Sequence, residues 1–406
     1  MPNVGRGNRM AMASSAPAHL VRITGFSTMG GRVFLLLFFV CIPACGYRST
    51  PEPLAIGQVL SLSGPKKERA EHARNGAALA IDMALSGDRR VLGRKVVVRH
   101  VDDRGDPELV QPEAVRLLTL NRAVALIGSP DAATDEQLAR AARTYAIPVL
   151  LTADLASVPT GEAIFCLNAA PEDRGDALAR FAVRDRQCRR VVVLTDGQSG
   201  PGVPLALAFV KRWRQEFQND KSASIEEWTW KNAAEWPDLT RRVAAAKPDG
   251  VMIAAAPETF NGLRTQLASA GLRFSIFYGG EDVGAANLPI PGNDEPAVYL
   301  ATPFAATADL EPDGKAFVTA YTDKYHEPPD LSAALAYDAV KLLVDAIERA
   351  KTWQPPRLTT ELTAANLSSV TGPLSLADRR AKRRLFVVAL EKAGASVVAT
   401  FAPNAE

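Results

Sequence analysis

Histidine and cysteine are scarce in this sequence of 406 residues, which holds four of each. His72, His100 and His326 show no paired spacing and have no cysteine nearby, so the sequence predicts no metal site. Aromatic residues make up only 7% of the chain. No apolar run reaches the roughly 18 residues that a membrane-spanning helix needs, which excludes a protein with several spans.

A surplus of one charge is also missing from most of the chain. The whole sequence carries 47 basic and 45 acidic residues, and its first 44 residues hold four arginines and no acid. The remaining 362 residues therefore carry 43 basic and 45 acidic side chains. A protein whose main ligand is nucleic acid usually shows a basic surplus on its folded part, so we expect no nucleic-acid partner.

Motifs for covalent or phosphate chemistry are absent as well. Residues 197–201 (GQSGP) lack the glycine that a nucleophile elbow places two residues after its serine. No glycine-rich loop ends in Lys-Ser or Lys-Thr, and no Gly-x-Gly-x-x-Gly opens a helix. The acidic pair Asp102-Asp103 directly follows a predicted strand and Glu226-Glu227 lies on one, and adjacent side chains of a strand point to opposite faces. We expect neither an enzyme nor a bound cofactor.

The first 45 residues have the pattern of an export signal. Residues 1–28 contain no acid and show no regular apolar period, and residues 33–42 form an apolar run that has the length of a signal-peptide core. The ending Ile42-Pro43-Ala44-Cys45 resembles a bacterial lipobox, although Pro43 departs from it. We expect a signal peptide at 1–44 with a doubtful upstream extension, since Met29 offers a second start. Cys45 would be the lipidated residue of an exported lipoprotein, and 45–53 an anchored linker.

Strands and helices alternate along the rest of the chain. Four predicted strands joined by helical segments imply a parallel sheet, and a second series of the same kind follows it. The first series has strands at 54–60, 95–101, 123–127 and 148–151 with helices at 70–85, 107–119 and 135–145, and a further extended stretch at 162–167 follows it. The second has helices at 172–184, 205–217, 239–246 and 259–270 with strands at 190–195, 225–230, 250–254 and 275–278. A strand at 298–302, helices at 315–325 and 332–350, and a hairpin of 374–376 with 385–390 complete the prediction.

Cys166 and Cys188 are the two cysteines of the folded part. Export would permit a disulfide between them. The predicted helix over residues 172–186 would separate them by roughly 22 Å, whereas bridged Cα atoms lie within about 7 Å. We therefore expect two free, buried thiols.

Several motifs along residues 54–401 together resemble one family. They are residues 61–64 (SLSG), 74–82 (RNGAALAID), 92–95 (LGRK) with 102–107 (DDRGDP), 126–128 (LIG), 146–149 (AIPV), 333–340 (AALAYDAV) and 370–375 (VTGPLS). In this order they resemble the type I periplasmic solute-binding proteins of branched-chain amino acid ABC transporters, the leucine/isoleucine/valine-binding family. The resemblance implies an α/β fold of two doubly wound parallel-sheet lobes joined by three crossing strands. Lobe one would be 54–167 and 304–370, and lobe two 168–303 and 371–402.

The resemblance also implies a function and a site. A small polar solute, amino-acid-like or an amide, would be captured by hinge closure and delivered to an ABC permease. The alternative is a non-transport sensor or scaffold lipoprotein of the same fold that regulates an envelope enzyme or receptor. Parallel sheets bind ligands at the carboxyl ends of their strands, which independently favours the same loops. The expected ligand-binding residues are Ser63, Asp131, Ala132, Ala133, Thr134, Ala153, Asp154, Gln198, Ser199, Glu281 and Asp282.

The chemistry of these residues departs from that of the family. Thr134 alone keeps a hydroxyl where the family holds the ligand carboxylate, and Leu155 stands at a second such position. Glu281 matches the family's ammonium-pairing acid. Asp131, Asp154 and Glu281 in one cleft favour a cationic or polyhydroxy ligand over an unpaired anion. For Asp131 and Asp154, helix capping is an equally weighted alternative.

Two other groups of residues invite functional readings that we do not favour. Trp228, Trp230 and Trp236 could stack on a sugar, but their positions away from the strand ends favour packing in and at the edge of the core. The basic run at 379–384 could contact anionic lipid, but a solvated hairpin tip explains it as well.

Overall fold

The computed structural model describes residues 51–84, 89–197, 200–293 and 295–402. The expected signal peptide, Cys45, Gln198 and Ser199 lie outside these residues. All elements described below belong to one compact unit, Glu52–Glu406. Within the described residues, no helix is both long and apolar enough to cross a membrane.

The first sheet is parallel and has five strands. They are β1 (Leu54–Leu60), β2 (Val96–Asp102), β3 (Ala123–Ile127), β4 (Val149–Leu151) and β5 (Ile164–Cys166), in the spatial order β2-β1-β3-β4-β5. The connecting helices are α1 (Lys67–Ala84), α2 (Pro107–Thr119) and α3 (Ala132–Tyr145). Every residue of β1 is buried, as expected for a central strand whose two faces are both covered.

The second series of strands and helices follows directly. It consists of α4 (Pro171–Arg184), β6 (Arg190–Thr195), α5 (Gly202–Glu216), β7 (Ser224–Thr229), α6 (Trp236–Ala246), β8 (Gly250–Ala254), α7 (Pro257–Ser269), β9 (Ser275–Tyr278) and β10 (Val298–Thr302). These five strands pair in parallel. The chain thus passes from the first sheet to the second between β5 and α4.

The chain then returns to the first sheet and leaves it again. The elements are α8 (Pro312–Tyr325), α9 (Leu331–Ala350), α10 (Pro355–Thr363), β11 (Asn366–Ser369), β12 (Gly372–Ser375), β13 (Leu385–Glu391) and β14 (Gly394–Phe401). Helix α9 packs along α1, and Gly76 permits this approach because a Cβ there would lie 2.1 Å from the carbonyl oxygen of Ala333. The second sheet has the order β14-β13-β10-β9-β8-β6-β7. The chain therefore crosses between the two sheets three times.

The predicted C-terminal hairpin is wrong. β12 pairs with β11, while β13 pairs with β10 and with β14. The stretch between β12 and β13 runs along β5 instead: the amide of Cys166 donates to the carbonyl of Arg379 at 2.8 Å, and the amide of Ala381 donates to the carbonyl of Cys166 at 2.9 Å. Two apolar segments around a polar stretch look like a hairpin in the sequence, but their partners lie elsewhere in the chain.

The basic run is not a solvated hairpin tip, so the favoured explanation for it is also wrong, although Lys382 and Arg384 keep 42% and 30% of their side-chain exposure. Arg379 donates to the carbonyl of Gly161 at 2.6 Å, Arg380 to that of Leu155 at 2.9 Å and Arg383 to that of Leu167 at 2.6 Å. These arginines hold residues 376–384, the segment between β12 and β13, against the edge of the first sheet formed by β5.

The side chain of Arg383 is fully buried, and its Nη1 lies 3.0 Å from Asp338 Oδ2. Asp338 also accepts the amide of Val370 at 3.0 Å and the hydroxyl of Thr371 at 2.7 Å. These hydrogen bonds offset part of the cost of burying the pair, although Arg383 Nη2 has no partner in the described chain. Through Asp338 and Leu167, Arg383 joins α9 to two of the segments in which the chain crosses between the sheets, residues 167–170 and 376–384.

The cysteine and tryptophan predictions are confirmed. Cys166 and Cys188 are both free and buried. Trp230 is buried in the largest apolar cluster, and Trp228 and Trp236 pack partly buried against the same cluster. The guanidinium carbon of Arg242 lies 4.3 Å from the centre of the Trp228 ring.

Candidate functional site

The candidate site is a cleft where the loops after strands of the first sheet meet the loop after β9. The amide of Asp282, which follows β9, donates to Asp154 Oδ2 at 2.7 Å, and Asp154 follows β4. Arg69 of α1 contacts Glu281 from the same β9 loop. The carboxyl ends of the parallel strands of the two sheets therefore face one another, as expected for a ligand site in a doubly wound fold.

Arg174 fills the inner part of this cleft with a fully buried side chain. From α4 it donates to Asp154, to the carbonyl of Gly280 at 3.0 Å and to the carbonyl of Ala301 at 3.0 Å. Its Nε lies 3.8 Å from Asp282 Oδ2. One buried cation thus lies beside two buried carboxylates, one after a strand of each sheet. This pairing offsets part of the large cost of removing the charges from water.

Two further ion pairs lie in the outer part of the cleft. Lys66 Nζ contacts Asp131 in the loop after β3. Both terminal nitrogens of Arg69 lie 3.4 Å from Glu281 Oε1, and Arg69 Nη2 also donates to the carbonyl of Pro130 at 2.9 Å. The Arg69 and Glu281 side chains keep 24% and 27% of their exposure, so this pair is at the border of solvent. Each predicted cleft acid thus has a cation beside it.

Burial shifts the titration of the acids that follow β9. It raises the pKa of Glu281, which the Arg69 guanidinium lowers in part. It raises the pKa of Asp282 to about 6, against the opposing effect of Arg174. Both shifts have the same cause, the lower polarity inside the cleft, which disfavours the charged form.

Asp135, in the first turn of α3, holds the loops after β3 and β4 in place through hydrogen bonds to their backbone amides. Its buried carboxylate accepts the amide of Ser129 at 2.6 Å and the amides of Thr152 and Ala153 at 2.8 Å each. Burial raises its pKa to about 8, although these three hydrogen bonds lower it. Gly128 is required here, because a Cβ at that position would lie 2.4 Å from Asp135 Oδ1.

Buried polar atoms without a hydrogen-bond partner collect in this cleft. Within the described part of the chain they include Ser61 Oγ, Arg69 Nε, Thr152 Oγ1 and Asp154 Oδ1. Native proteins leave few such groups, and each calls for a water or a ligand. The cavity that Ser61, Lys66, Arg69 and Asp131 help to line measures only about 10 Å³, room for about one water. Any larger solute therefore needs the cleft to open.

The structure brings only some of the predicted residues into the cleft. Asp131, Asp154, Glu281 and Asp282 meet there, as described above. Ser63 donates instead to Asp102 at 2.8 Å. That any of these residues contacts a ligand stays a prediction, as it does for Gln198 and Ser199.

The residues at the start of α3 have structural roles. Thr134 Oγ1 donates to Asp103 Oδ2 at 2.8 Å, and Ala132 and Ala133 open the helix itself. Asp131 Oδ1 accepts the amide of Thr134 at 3.1 Å, so the capping alternative is confirmed for Asp131. Asp154 caps nothing, because no helix begins between it and α4.

Sequence reasoning missed all three cleft cations: Lys66, Arg69 and Arg174. Arg69 lies in the first turn of α1 and Arg174 near the start of α4. A cation near a helix N-terminus opposes the helix dipole, so it needs a compensating partner. The position of these arginines in the sequence, near predicted helix starts, therefore indicates that acidic side chains lie close to them in the fold.

Comparison with known proteins identifies the family of this chain. Residues 53–395 match the model of a family described as periplasmic binding protein. The match covers every strand from β1 to β13 and most of the 406 residues. This chain belongs to the periplasmic binding protein family. As a member it is an exported solute-binding protein, and its two parallel-sheet lobes are those of the type I fold.

Named relatives of this periplasmic binding protein bear out the family resemblance. It is 25% identical over 313 residues to the Leu/Ile/Val-binding protein BraC3 of Rhizobium johnstonii, covering 73% of this chain and 79% of that one. Its fold matches the branched-chain amino acid substrate-binding protein of Streptococcus pneumoniae in complex with isoleucine, with a TM-score of 0.68, 19% identity and coverage of 85% and 99%. It also matches a solute-binding protein of Rhodopseudomonas palustris in complex with 3,4-dihydroxybenzoic acid, with a TM-score of 0.72, 19% identity and coverage of 87% and 98%.

Proposed function

We propose that this protein captures a small polar solute, amino-acid-like or an amide, between its lobes and delivers it to an ABC permease. The observation that carries the proposal is the group of unpartnered buried polar atoms in the described part of the cleft, among them Ser61 Oγ, Arg69 Nε, Thr152 Oγ1, Asp154 Oδ1 and Asp282 Oδ2. They include hydrogen-bond donors and acceptors, so they suit a solute that offers both. The relatives named above bind branched-chain amino acids or an aromatic acid, which supports the same class.

The mechanism we propose is hinge closure. Lobe one would comprise residues 54–167 and 304–370, and lobe two residues 168–303 and 371–402. Opening would break the contacts of Asp154 and Arg69 with lobe two and admit the solute. The solute would favour closure only through contacts that it makes better in the closed form. Arg383 and Asp338, which hold the crossing segments together, would stay in place during this movement.

The proposed location is the cell envelope, with the protein lipid-anchored on its periplasmic or extracellular face. Cys45 would carry the lipid, residues 1–44 would be removed, and residues 45–53 would tether the folded part. Support comes from the lipobox-like sequence before Cys45 and from the family's exported character.

A second candidate, a sensor or scaffold lipoprotein, is favoured by one observation. The cleft is closed by the protein's own side chains, with Arg174 fully buried between Asp154 and Asp282. A protein that closes without a solute could present its closed surface constantly to a partner. Ligand binding distinguishes the two candidates.

A thermal-shift screen tests the proposal. The protein, purified as its host processes it, is heated alone and with amino acids, amides, aromatic acids, polyamines and polyols. A solute at 100 times its dissociation constant should add about 2.7 kcal/mol of stability. Stabilisation by at least one compound supports solute capture. No stabilisation by any class would favour the sensor or scaffold.

A further inference from the structure

We propose that Arg69 recognises a carboxylate group of the solute, assisted by the hydroxyl of Ser61. This inference rests on the proposed function, capture of a solute in the cleft. It assigns carboxylate recognition to α1 and to the loop after β1, rather than to the loops after β3 and β4, where the family holds the ligand carboxylate and this chain keeps only the hydroxyl of Thr134. It also differs from the expectation that the three cleft acids favour a cationic or polyhydroxy ligand.

The present contacts of Arg69 do not saturate the hydrogen-bonding capacity of its guanidinium. Its one short hydrogen bond, 2.9 Å from Nη2 to the carbonyl of Pro130, fixes the guanidinium against the loop after β3. The distances of 3.4 Å to Glu281 Oε1 exceed the roughly 2.7 to 2.9 Å of a charge-assisted hydrogen bond. Its buried Nε has no partner in the described chain. The side chain is therefore anchored while part of its hydrogen-bonding fork remains available.

The other two cleft cations have fuller partnerships. Lys66 is in direct contact with Asp131. Arg174 uses all three of its nitrogens, donating to Asp154, Gly280 and Ala301. Of the three described cations in the cleft, Arg69 is thus the one with a buried nitrogen that has no partner, whereas the more exposed Lys66 is occupied by Asp131. Ser61 Oγ, unpartnered and buried, lines the same small cavity.

The surroundings select a carboxylate over other anions. A guanidinium presents a planar fork that fits a carboxylate or a phosphate. Asp131 and Glu281 lie close by and would repel a doubly charged phosphate more than a singly charged carboxylate. When the cleft opens, Arg69 would remain on Pro130 while Glu281 moves away with lobe two. A zwitterion could then place its carboxylate on Arg69 and, on closure, its ammonium on Glu281.

The test compares pairs of compounds that differ only in the carboxylate. The probes are leucine with leucinamide and 4-hydroxybenzoate with 4-hydroxybenzamide, with glycerol 3-phosphate as the phosphate arm. Thermal shift and calorimetry are run on the wild type, Arg69→Gln, Arg69→Lys and the control Arg74→Gln. Arg74 lies on the same helix with its side chain 40% exposed, beside Glu71. Melting temperatures without solute show whether each variant is folded.

The expected result is a preference of the wild type for an acid over its amide. Arg69→Gln should weaken binding of that acid by about 10- to 100-fold and leave the amide unchanged. Arg69→Lys should restore part of the affinity, because it keeps the charge without the fork, and Arg74→Gln should match the wild type. Equal acid binding by Arg69→Gln, an amide bound as tightly as its acid, or a preference for the phosphate would overturn the assignment while solute capture stands. If no probe binds the wild type, the carboxylate assignment is overturned, and the broader thermal-shift screen alone decides whether the protein captures a solute.

Discussion

Asp154 and Asp282 meet across the cleft, where the backbone amide of Asp282 donates to Asp154 Oδ2 at 2.7 Å. The same carboxylate oxygen also accepts a hydrogen bond from Arg174 Nη1. Two acids that follow strands of different sheets are thus held together by an amide and a shared cation. The closed form therefore depends on Arg174.

Arg174→Gln should lower the free energy of unfolding of the empty protein by about 3 to 5 kcal/mol. The reason is that it leaves two buried carboxylates without their cation. Urea denaturation measures the change. The matched control is Arg189→Gln, in an exposed pair with Asp220, where a loss below about 1 kcal/mol is expected. Equal losses in the two variants would mean that the buried cluster contributes nothing special.

Asp135 predicts a pH dependence of stability. Its pKa of about 8 in the folded protein exceeds its value of about 3.9 in an unfolded chain. Between about pH 4 and pH 8 the folded protein therefore retains a proton that the unfolded chain has released. The contribution of this group is full below the lower pKa and is lost as the pH rises through this window.

Asp135→Asn removes this titration. The unfolding free energy of the wild type minus that of the variant should fall with rising pH, by at most about 1.4 kcal/mol per unit. Urea denaturation at several pH values measures it, with the exposed Asp309→Asn as control. A difference that stays constant between about pH 5 and pH 8 would contradict the shift.

Cys166 and Cys188 should resist a thiol reagent in the folded protein. Burial raises the pKa of Cys166 to about 12 and that of Cys188 to about 11, so little thiolate forms at neutral pH. Both should react once the protein is unfolded without a reductant, and peptide mapping identifies the modified residues. Recovery of a peptide in which the two are joined would show a disulfide instead.

Local signals explain which elements the sequence could predict. The helix at 107–119 was predicted with the observed bounds, because Asp106 caps it and Pro107 suits its first turn. Strands β3, β6, β8, β9 and β10 also match their predictions, since each is a compact apolar run. In contrast, α10 opens with two prolines in a polar sequence, and β14 is a half-exposed edge strand. Both were missed.

The site depends on contacts that no local pattern contains. Arg174 meets Asp154 and Gly280, which lie 20 and 106 residues away in the chain. The loop positions of Asp154 and Glu281 could be predicted from the strands before them. Their partners could not, since a cation on a crossover helix reaches its acid only after both sheets have formed.

Cys45→Ala should abolish retention of the protein in the membrane fraction. The lipid would be attached through the Cys45 sulfur, so the variant would lack the proposed anchor. Fractionation of cells that express the wild type or the variant measures the change. Unchanged retention of the variant would contradict the lipoprotein proposal.

Glu281→Gln tests the central claim, solute binding in the cleft, most directly. Calorimetry with a solute identified in the screen should show binding weakened by about 1.5 to 3 kcal/mol, the range for a hydrogen bond to a charged group. The control Glu226→Gln, on the exposed strand β7, should bind as the wild type does. An affinity of Glu281→Gln within about 0.3 kcal/mol of the wild type, well below the loss of such a bond, would contradict the proposed binding site.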